Sequence, residues 1–374
     1  MLGYTIELLP LKSCKACESP TPVSRRQARP HRRITNSYFV RVGSTLQKVW
    51  RLQRAAYFDN LVCNASMSLP PLFSIIIPTH DRLDLLRRAT ESIKEQSFTG
   101  YEIVVVDDGS KDGTAEWLAA NGSWLRAIRQ ANSGPGAARN AGARIARGQY
   151  FAFLDSDDVW FPWTLEVYRE VIERSGRPAF LAGKPYVFSD DADLGAVTQE
   201  PATTEKFQDY LASGDEWRWW GVSSFVIRKD AFLDAGGFLE DRINSEDADL
   251  ALKLGVAAGF VQITAPATFA YRVHAANVKD DLSRTLAGIR HTLMSEKHGG
   301  YPGGKVRARE RWEILTRHVR PVALQCLRSG RQREAWSFYR STFAWHLSLR
   351  RLKYMIGFPF VALVEFGRHR LQGR

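Results

Sequence analysis

Residues 150–158 constrain the fold of this 374-residue chain more than any other stretch. An aromatic and aliphatic run follows Gly148 and stops abruptly at Asp155, Asp157 and Asp158. Such a run is typical of a buried strand that delivers acids to the edge of a sheet. Crowded carboxylates repel one another unless a cation lies among them, and Mg²⁺ or Mn²⁺ prefers such hard oxygen ligands. The alternative is a solvated corner in which Asp158 caps a following helix.

The stretch before residue 150 alternates between short apolar runs and helical patterns, which is typical of a parallel sheet with helices on its faces. The patterns predict strands at residues 73–77, 102–106 and 125–128, and helices at 83–96, 113–121 and 137–146. Polar clusters follow the strands. Ligands in such sheets bind beyond the carboxyl ends of the strands, so we expect these clusters to meet at one site.

The polar clusters suggest separate roles in binding a nucleotide. Asp108 can accept a hydrogen bond from a base N–H or a ribose hydroxyl, whereas Asp107 is expected to form a turn. Gly134 and Gly136 permit close backbone approach, and the helix that follows offers free N–H groups to a phosphate. Arg139 can contact a nucleotide or pair with the strand-end acids. The G-x-x-x-x-G-K-[ST] and G-x-G-x-x-G motifs do not occur, which excludes a P-loop enzyme and a dinucleotide dehydrogenase.

The second half of the patterned region is less regular. Strands are predicted at residues 180–188, 221–227 and 268–272, with a polar insertion at 189–204 and an aromatic cluster at 217–220 that is expected at the rim of a cleft.

A helix is predicted at residues 247–254, with Ser245 as its cap. The adjacent acids Glu246 and Asp247 either interact favourably with the dipole at the start of this helix or supply a general base. His274, in the loop after the last strand, is a candidate metal ligand, although a lone His is usually structural.

Charge divides the chain into three regions. Residues 1–66 hold 11 Lys and Arg against 3 Asp and Glu, and residues 305–374 hold 16 against 4. The net charge of +12 therefore leaves the centre acidic. We expect 1–66 to be a basic, disordered arm, or an over-extended start before Met67, and 67–298 to be the catalytic domain. Residues 305–374 are expected to form basic helices that pack on this domain, or that contact an anionic membrane.

The sequence lacks a signal peptide and an apolar segment long enough to span a membrane. Four scattered cysteines favour a reducing compartment over a disulfide scaffold. We therefore expect a cytoplasmic protein with peripheral contact at the inner face of the cytoplasmic membrane.

Seven short motifs, in order and spacing, closely resemble the family 2 glycosyltransferases with the GT-A fold. They cover about residues 73–280 and read Pro78-Thr79-x-x-Arg82, Val106-Asp107-Asp108-Gly109-Ser110, Asn132-x-Gly134-x-Gly136-x-x-Arg139-Asn140-x-Gly142, Leu154-Asp155-Ser156-Asp157-Asp158, Gly236-Gly237-Phe238, Glu246-Asp247 and Arg272-x-His274. The resemblance implies an α/β fold with a Rossmann-like mixed, mostly parallel sheet flanked by helices, followed by a helical C-terminal extension.

The resemblance also implies roles for individual residues. Asp155 matches the first acid of the family's DxD motif, Asp157 the acid that binds Mn²⁺ or Mg²⁺, and His274 a further metal or diphosphate contact. Asp247 matches the catalytic base. The implied nucleotide-sugar site comprises Pro78, Thr79, Arg82, Asp108, Gly136, Arg139, Asp155 and Glu246.

The implied reaction transfers one sugar, with inversion, from a nucleotide-diphospho-sugar to a hydroxyl of a glycan or lipid-linked acceptor. The expected donor is a UDP-sugar, and the expected setting is cell-surface polysaccharide or glycoconjugate synthesis. His80-Asp81 replaces the family's common aromatic-Asn pair. Processive members carry Gln-x-x-Arg-Trp, which residues 332–336 do not match, and we therefore predict transfer of a single sugar.

Three alternatives compete with this interpretation. The first is a non-catalytic GT-A-like module, against which the intact set of Asp155, Asp157 and Asp247 argues. The second alternative, a nucleic-acid-binding protein, is supported by the basic ends alone. Because the centre of the chain is acidic, we predict no nucleic-acid partner. A nucleotidyltransferase would need a glycine-rich motif with Arg and Lys after Ile77, and the sequence lacks it.

Overall fold

The computed structural model describes residues 70–219, 221–273 and 282–372. They belong to one compact unit, Leu69–Arg374. The predicted basic arm at 1–66, with its alternative start at Met67, lies outside the described residues, and so do Trp220 and His274.

One mixed sheet contains nine strands within the described part of the chain. The strands are β1 (Phe73–Thr79), β2 (Tyr101–Asp107), β3 (Arg126–Arg129), β4 (Tyr150–Phe153), β5 (Val159–Trp160), β6 (Phe180–Phe188), β7 (Thr203–Phe207), β8 (Phe225–Arg228) and β9 (Phe260–Arg272). Their order is β3-β2-β1-β4-β8-β6-β9-β5, and β7 pairs with β9. Strands β3, β2, β1 and β4 run parallel, and β8 is antiparallel to β4 and β6. The predicted fold class is confirmed.

Ten helices are described. They are α1 (Leu83–Lys94), α2 (Thr114–Ala120), α3 (Pro135–Ile145), α4 (Thr164–Arg174), α5 (Lys229–Asp234), α6 (Glu246–Lys253), α7 (Leu282–Lys297), α8 (Ala308–Arg328), α9 (Gln332–Ser348) and α10 (Leu352–Gln372). The boundaries of the predicted helices in residues 83–146 shift by no more than a few residues.

The central strands are apolar on both faces, as expected of parallel strands covered by helices. In β1, Ile75 and Ile77 pack in one hydrophobic cluster, and Ile76 packs in a second cluster on the opposite face. Parallel pairing of β1 with β2 places Thr79 opposite Asp107, so the polar residues that follow both strands emerge at the same edge. This register positions the site.

Three elements of the second half differ from the sequence prediction. Strand β8 begins at Phe225, because Gly221 adopts a positive φ of 73° and residues Val222–Ser224 form a 3₁₀ turn. Strand β7 was not predicted, and it begins in the last two residues of the predicted polar insertion. It is an edge strand, where exposed polar side chains are tolerated. Strand β9 begins at Phe260 rather than near residue 268. Pro266 lies within this strand, and a proline in a sequence argues against a continuous strand there.

The C-terminal helices pack on the sheet domain, as the first of the two alternatives predicted. Buried side chains of α8, α9 and α10, including Ile314, Phe338 and Phe358, join the hydrophobic cluster that covers one face of the sheet. The glycine-rich segment before α8 is held in place because Arg311 donates to the carbonyl oxygens of Pro302 and Gly304, at 2.8 and 2.9 Å. No helix in the described ranges combines the length and apolar character that crossing a bilayer requires.

Candidate functional site

A cavity of about 940 Å³ opens at the carboxyl ends of the central strands. Its volume lies at the upper end of the range usual for ligand sites. Nine of the eleven predicted site residues line it: Pro78, Thr79, Arg82, Asp108, Arg139, Asp155, Asp157, Glu246 and Asp247. The remaining two are Gly136, which lies outside the lining, and His274, which lies outside the described residues.

The three acids after β4 form a compact group. One carboxylate oxygen from each of Asp155, Asp157 and Asp158 lies within 4.8 Å of the others. Asp157 pairs with Arg82, whose Nη1 atom lies 2.7 Å from its carboxylate. Asp155 pairs with Arg139 at 2.6 Å. Hard oxygen donors at this spacing are able to hold a divalent cation.

Asp158 supports the group from beneath. Its buried carboxylate accepts hydrogen bonds from the Ser223 hydroxyl at 2.6 Å and from the backbone N–H of Arg272 at 3.1 Å. The Ser223 hydroxyl oxygen in turn accepts the backbone N–H of Asp155. Burial first, and then the negative charges of Asp157 and Asp155, raise the pKa of Asp158 well above its usual value. Asp158 therefore does not cap the following helix, and its carboxylate belongs to the acid group instead.

Arg139 connects the strand-end acids to helix α6. Its guanidinium is buried and donates to Asp155 at 2.6 Å and to Glu246 at 3.1 Å. Burial acts to lower the pKa of Arg139, but the two carboxylates outweigh this effect and raise it. The guanidinium therefore remains charged. Arg139 thereby fixes the distance between two acidic elements that are 91 residues apart in the sequence.

Asp247 stands at the start of α6 and faces the same cavity. Its carboxylate accepts the backbone N–H of Ala248 at 2.7 Å. Burial and the charge of Glu246 raise the pKa of Asp247 to about 7, whereas Arg139 opposes the shift. A carboxylate with this pKa is suited to general base catalysis near neutral pH. Ser245 precedes the helix with φ of 83°, and its side chain makes no capping hydrogen bond among the described residues.

The acids after β2 organise loops in different ways. Both carboxylate oxygens of Asp108 are engaged by the loop before α3, since Ser133 and Gly134 donate their backbone N–H groups at 2.8 Å. Asp107 accepts the backbone N–H of Ser110 at 2.8 Å, which is the turn role expected for it. Asp108 thus shapes the cavity wall and also faces into the cavity.

Gly136 and Asn140 have packing roles on α3. A Cβ atom added to Gly136 would lie 2.0 Å from the carbonyl oxygen of Leu239, so a larger residue fits only if the helix or the loop moves. Asn140 exchanges two hydrogen bonds of 2.9 Å with the backbone of Phe238. Both residues fasten α3 to the loop that leads into α6.

The sequence did not identify the far wall of the cavity as a unit. Trp217 and Trp219 line it, in agreement with the rim predicted for the aromatic cluster, but Arg218 is buried and pairs with Glu205. Further lining residues carry no recognisable motif: Arg242, Asn244, Arg284, Thr285, His318 and Gln325. A high density of aromatic residues is the one signal that pointed to this wall.

A family model described as Glycosyl transferase family 2 matches residues 74–230. A Haemophilus influenzae protein described as an uncharacterized glycosyltransferase is 27% identical over 223 residues, which cover 58% of this chain and 74% of that protein. The Escherichia coli glycosyltransferase YibD is 30% identical over 40% of this chain, and the Nostoc glycosyltransferase alr2836 is 32% identical over 42%. The matches span only 44% and 51% of these two relatives.

The fold has solved counterparts. Residues 1–349 of S. aureus TarS superpose with a TM-score of 0.54 at 19% identity, over 81% of this chain and 92% of that one. The same protein in complex with UDP-GlcNAc gives a TM-score of 0.50 at 20% identity, over 66% and 72%. With the sheet order, these similarities show that the chain has the GT-A fold and that its residues 74–230 match the family 2 glycosyltransferases.

Proposed function

We propose that this chain transfers a single sugar from a nucleotide-diphospho-sugar to an acceptor hydroxyl, with inversion at the sugar. The observation that carries the proposal is the position of Asp247, a carboxylate with a pKa of about 7, in the same cavity as Asp155 and Asp157. A base and a group of acids able to bind a metal, within one cavity, suit in-line displacement of a diphosphate.

The acids fit the divalent cation, Mn²⁺ or Mg²⁺, that the proposal requires. Asp155 and Asp157 would hold the ion, supported by the buried carboxylate of Asp158. Burial, and then the charges of Asp157 and Asp155, raise the pKa of Asp158, and a positive ion among the three carboxylates would relieve their repulsion. When bound, the ion would stabilise the charge of the departing diphosphate. We also propose His274 as a further metal or diphosphate contact.

The chain's own residues supply binding, orientation and proton transfer. Pro78, Thr79 and Arg82, after β1, would contact the nucleotide, and Asp108 would hold its base or ribose. Arg139 keeps Asp155 and Glu246 in place. Asp247 would accept the proton of the acceptor hydroxyl while the hydroxyl oxygen attacks the anomeric carbon of the sugar. As that bond forms, the bond between the sugar and the diphosphate breaks. No covalent enzyme intermediate is needed for inversion.

We propose a UDP-sugar as the donor and a glycan or lipid-linked acceptor. S. aureus TarS, which shares the fold, was solved with UDP-GlcNAc, and this makes UDP-GlcNAc the first donor to test. The biological setting that we propose is synthesis of a cell-surface polysaccharide or glycoconjugate. The competing proposal is a non-catalytic module that binds nucleotide sugars.

The decisive experiment measures release of UDP from a panel of UDP-sugars by the full-length protein in Mn²⁺, with and without a mixture of glycan acceptors. We expect turnover by the wild type and a loss of at least about 100-fold in Asp247→Asn. Asp234→Asn, at an exposed position on α5, is the matched control. Binding of UDP without turnover across the panel would favour the non-catalytic module, and near-wild-type turnover by Asp247→Asn would refute the assignment of the base.

We further propose that the C-terminal region contacts an anionic membrane through one face of α10. Ile356, Phe360 and Leu363 are 74%, 69% and 71% exposed, and their spacing places them on the same side of the helix. The opposite side, with Phe358, packs in the core. Exposed Arg340, Arg350 and Lys353 lie in the same basic region. Apolar side chains beside basic ones are typical of a helix that lies in a membrane interface.

Liposome co-sedimentation of the full-length protein tests this surface. We expect the wild type to pellet with vesicles that contain phosphatidylglycerol, and the double variant I356E/F360E to remain in the supernatant. Leu233→Glu, at an exposed apolar position on α5, is the control and should pellet like the wild type. Equal pelleting of wild type and double variant would remove the membrane proposal without affecting the proposed reaction.

A further inference from the structure

The two walls of the cavity differ in chemistry. The wall formed by the strand ends and α6 carries the acids and arginines already described. The opposite wall is formed by the loop around Trp217 and by helices α7 and α8, and its central surface is aromatic. Trp217 is 51% exposed, an unusual fraction for a large aromatic side chain at the edge of a packed domain. A second ligand would find an apolar face there.

The C-terminal helices hold the Trp217 loop in place. The buried Arg317 of α8 donates to the carbonyl oxygens of Gly214 and Glu216, and its guanidinium lies 5.0 Å from the ring centroid of Trp217. Asp215 pairs with Arg351 at 2.9 Å and with Arg320 at 3.5 Å. Arg218 also ties this loop to β7 and β9 through Glu205 and Gln262, so the C-terminal region supplies part of the support for this wall.

The rings of Trp217, Trp219 and His318 support one another. The His318 ring centroid lies 4.6 Å from that of Trp217 in an edge-to-face contact and 5.7 Å from that of Trp219 in a stacked one. His318 Nε2 is buried and has no hydrogen-bond partner among the described residues. Burial and the nearby Arg317 lower the pKa of His318 to about 3, so the imidazole is neutral at pH 7. This ring therefore adds no charge to the wall.

Polar side chains surround the aromatic surface. Arg242, Asn244, Arg284, Thr285 and the exposed Gln325 line the cavity on this side. An apolar face bordered by amide, hydroxyl and guanidinium groups matches a ligand with an apolar ring face and many hydroxyls. A fatty acyl chain would bring no hydrogen-bonding group to this polar border, and a diphosphate has no apolar face to place on Trp217.

We propose that Trp217, supported by Trp219 and His318, is the platform of an acceptor subsite that binds a saccharide ring. The inference depends on the proposed function, because the nucleotide is assigned to the opposite wall near Pro78 and Asp108. One C–H face of the sugar packs against the indole, and its hydroxyls face Asn244, Thr285 and Gln325. The C-terminal helices are thus part of the site.

Saturation-transfer NMR on the full-length protein tests this subsite, with UDP, Mn²⁺ and an equimolar mixture of the methyl glycosides of glucose, galactose, mannose and N-acetylglucosamine. We expect saturation of the ring protons of at least one glycoside. In Trp217→Ala its apparent affinity should fall about fivefold or more, whereas Trp217→Phe should remain within about twofold of wild type. Thermal unfolding establishes that both variants are folded.

The outcomes separate this inference from the proposed function. Equal glycoside signals in wild type and Trp217→Ala, or no glycoside signal beside a normal UDP signal, would overturn the acceptor subsite alone. A UDP signal that falls in Trp217→Ala would reassign the aromatic wall to the donor. Absence of UDP binding to the wild type would overturn the proposed function together with this subsite.

Discussion

The guanidinium of Arg139 lies 2.6 Å from the carboxylate of Asp155 and, through its second Nη atom, 3.1 Å from Glu246. One buried cation therefore holds the acids after β4 and the start of α6 in a fixed relation. A guanidinium can do this because its planar fork carries several donors, whereas a lysine ammonium is a compact point charge.

Arg139→Lys keeps the charge but cannot reach both carboxylates with the same geometry. We expect the free energy of unfolding to fall by about 2 kcal/mol, as for a lost hydrogen bond to a charged group. Urea denaturation measures this change. Arg144→Lys, exposed on the same helix, should change it by no more than about 0.5 kcal/mol. If both variants unfolded at the same urea concentration, Arg139 would not carry the structural role assigned to it.

Asp157→Asn should weaken metal binding, because an amide oxygen lacks the negative charge of the carboxylate it replaces. We expect the dissociation constant for Mn²⁺ to rise about tenfold or more in the presence of UDP. Electron paramagnetic resonance of free Mn²⁺ measures it without reference to turnover. Asp234→Asn serves as the control, and unchanged Mn²⁺ affinity in Asp157→Asn would contradict the assignment of Asp157 as a ligand.

The pH dependence of kcat/KM should reveal Asp247. A general base acts when unprotonated, and the pKa of this carboxyl is raised to about 7. The value of kcat/KM should therefore fall about tenfold for each pH unit below about 7. Above about pH 7 it should remain constant. Initial rates from pH 5.5 to 9 test this. A profile that stays level down to pH 5.5 would exclude Asp247 as the base.

Gly136→Ala should destabilise the protein, because the added methyl group would lie 2.0 Å from the Leu239 carbonyl oxygen. The helix or the loop must move, and we expect a loss of about 1–3 kcal/mol in unfolding free energy. Gly195→Ala is the matched control, since a Cβ atom there meets nothing within 4 Å. Equal stability of the two variants in thermal and urea unfolding would show that the contact with Leu239 is not a constraint.

Arg351→Ala tests the connection between the C-terminal helices and the proposed acceptor subsite. Loss of its 2.9 Å pair with Asp215 should loosen the Trp217 loop, and we expect binding of the methyl glycosides to weaken about threefold or more. Saturation-transfer NMR measures this, with the UDP signal as an internal reference. Arg340→Ala, exposed on α9, is the control. Unchanged glycoside binding in Arg351→Ala would separate the helices from the subsite.

Much of the donor side of the site could be predicted from the sequence. The strand before Asp155 is apolar on both faces, and parallel strands bring their carboxyl ends to one edge, so Asp108 and the acid group had to lie near each other. The sheet was less predictable where tertiary pairing outweighs local pattern. Residues 203–207 form an edge strand although their sequence is largely polar, and β9 continues through Pro266, a residue that usually interrupts a strand.

The sequence by itself determined the alternating strands and helices, the strand-end acids and the resemblance of residues 74–230 to the family 2 glycosyltransferases, because each depends on short local patterns. Only the tertiary structure decided that Arg139 joins Asp155 to Glu246, and that His318 of a C-terminal helix packs against Trp217 in the cavity wall. The contacts of Arg139 with Glu246 and of His318 with Trp217 each join residues about a hundred positions apart. They depend on which face each helix turns toward the sheet, and that choice results from packing of the whole core.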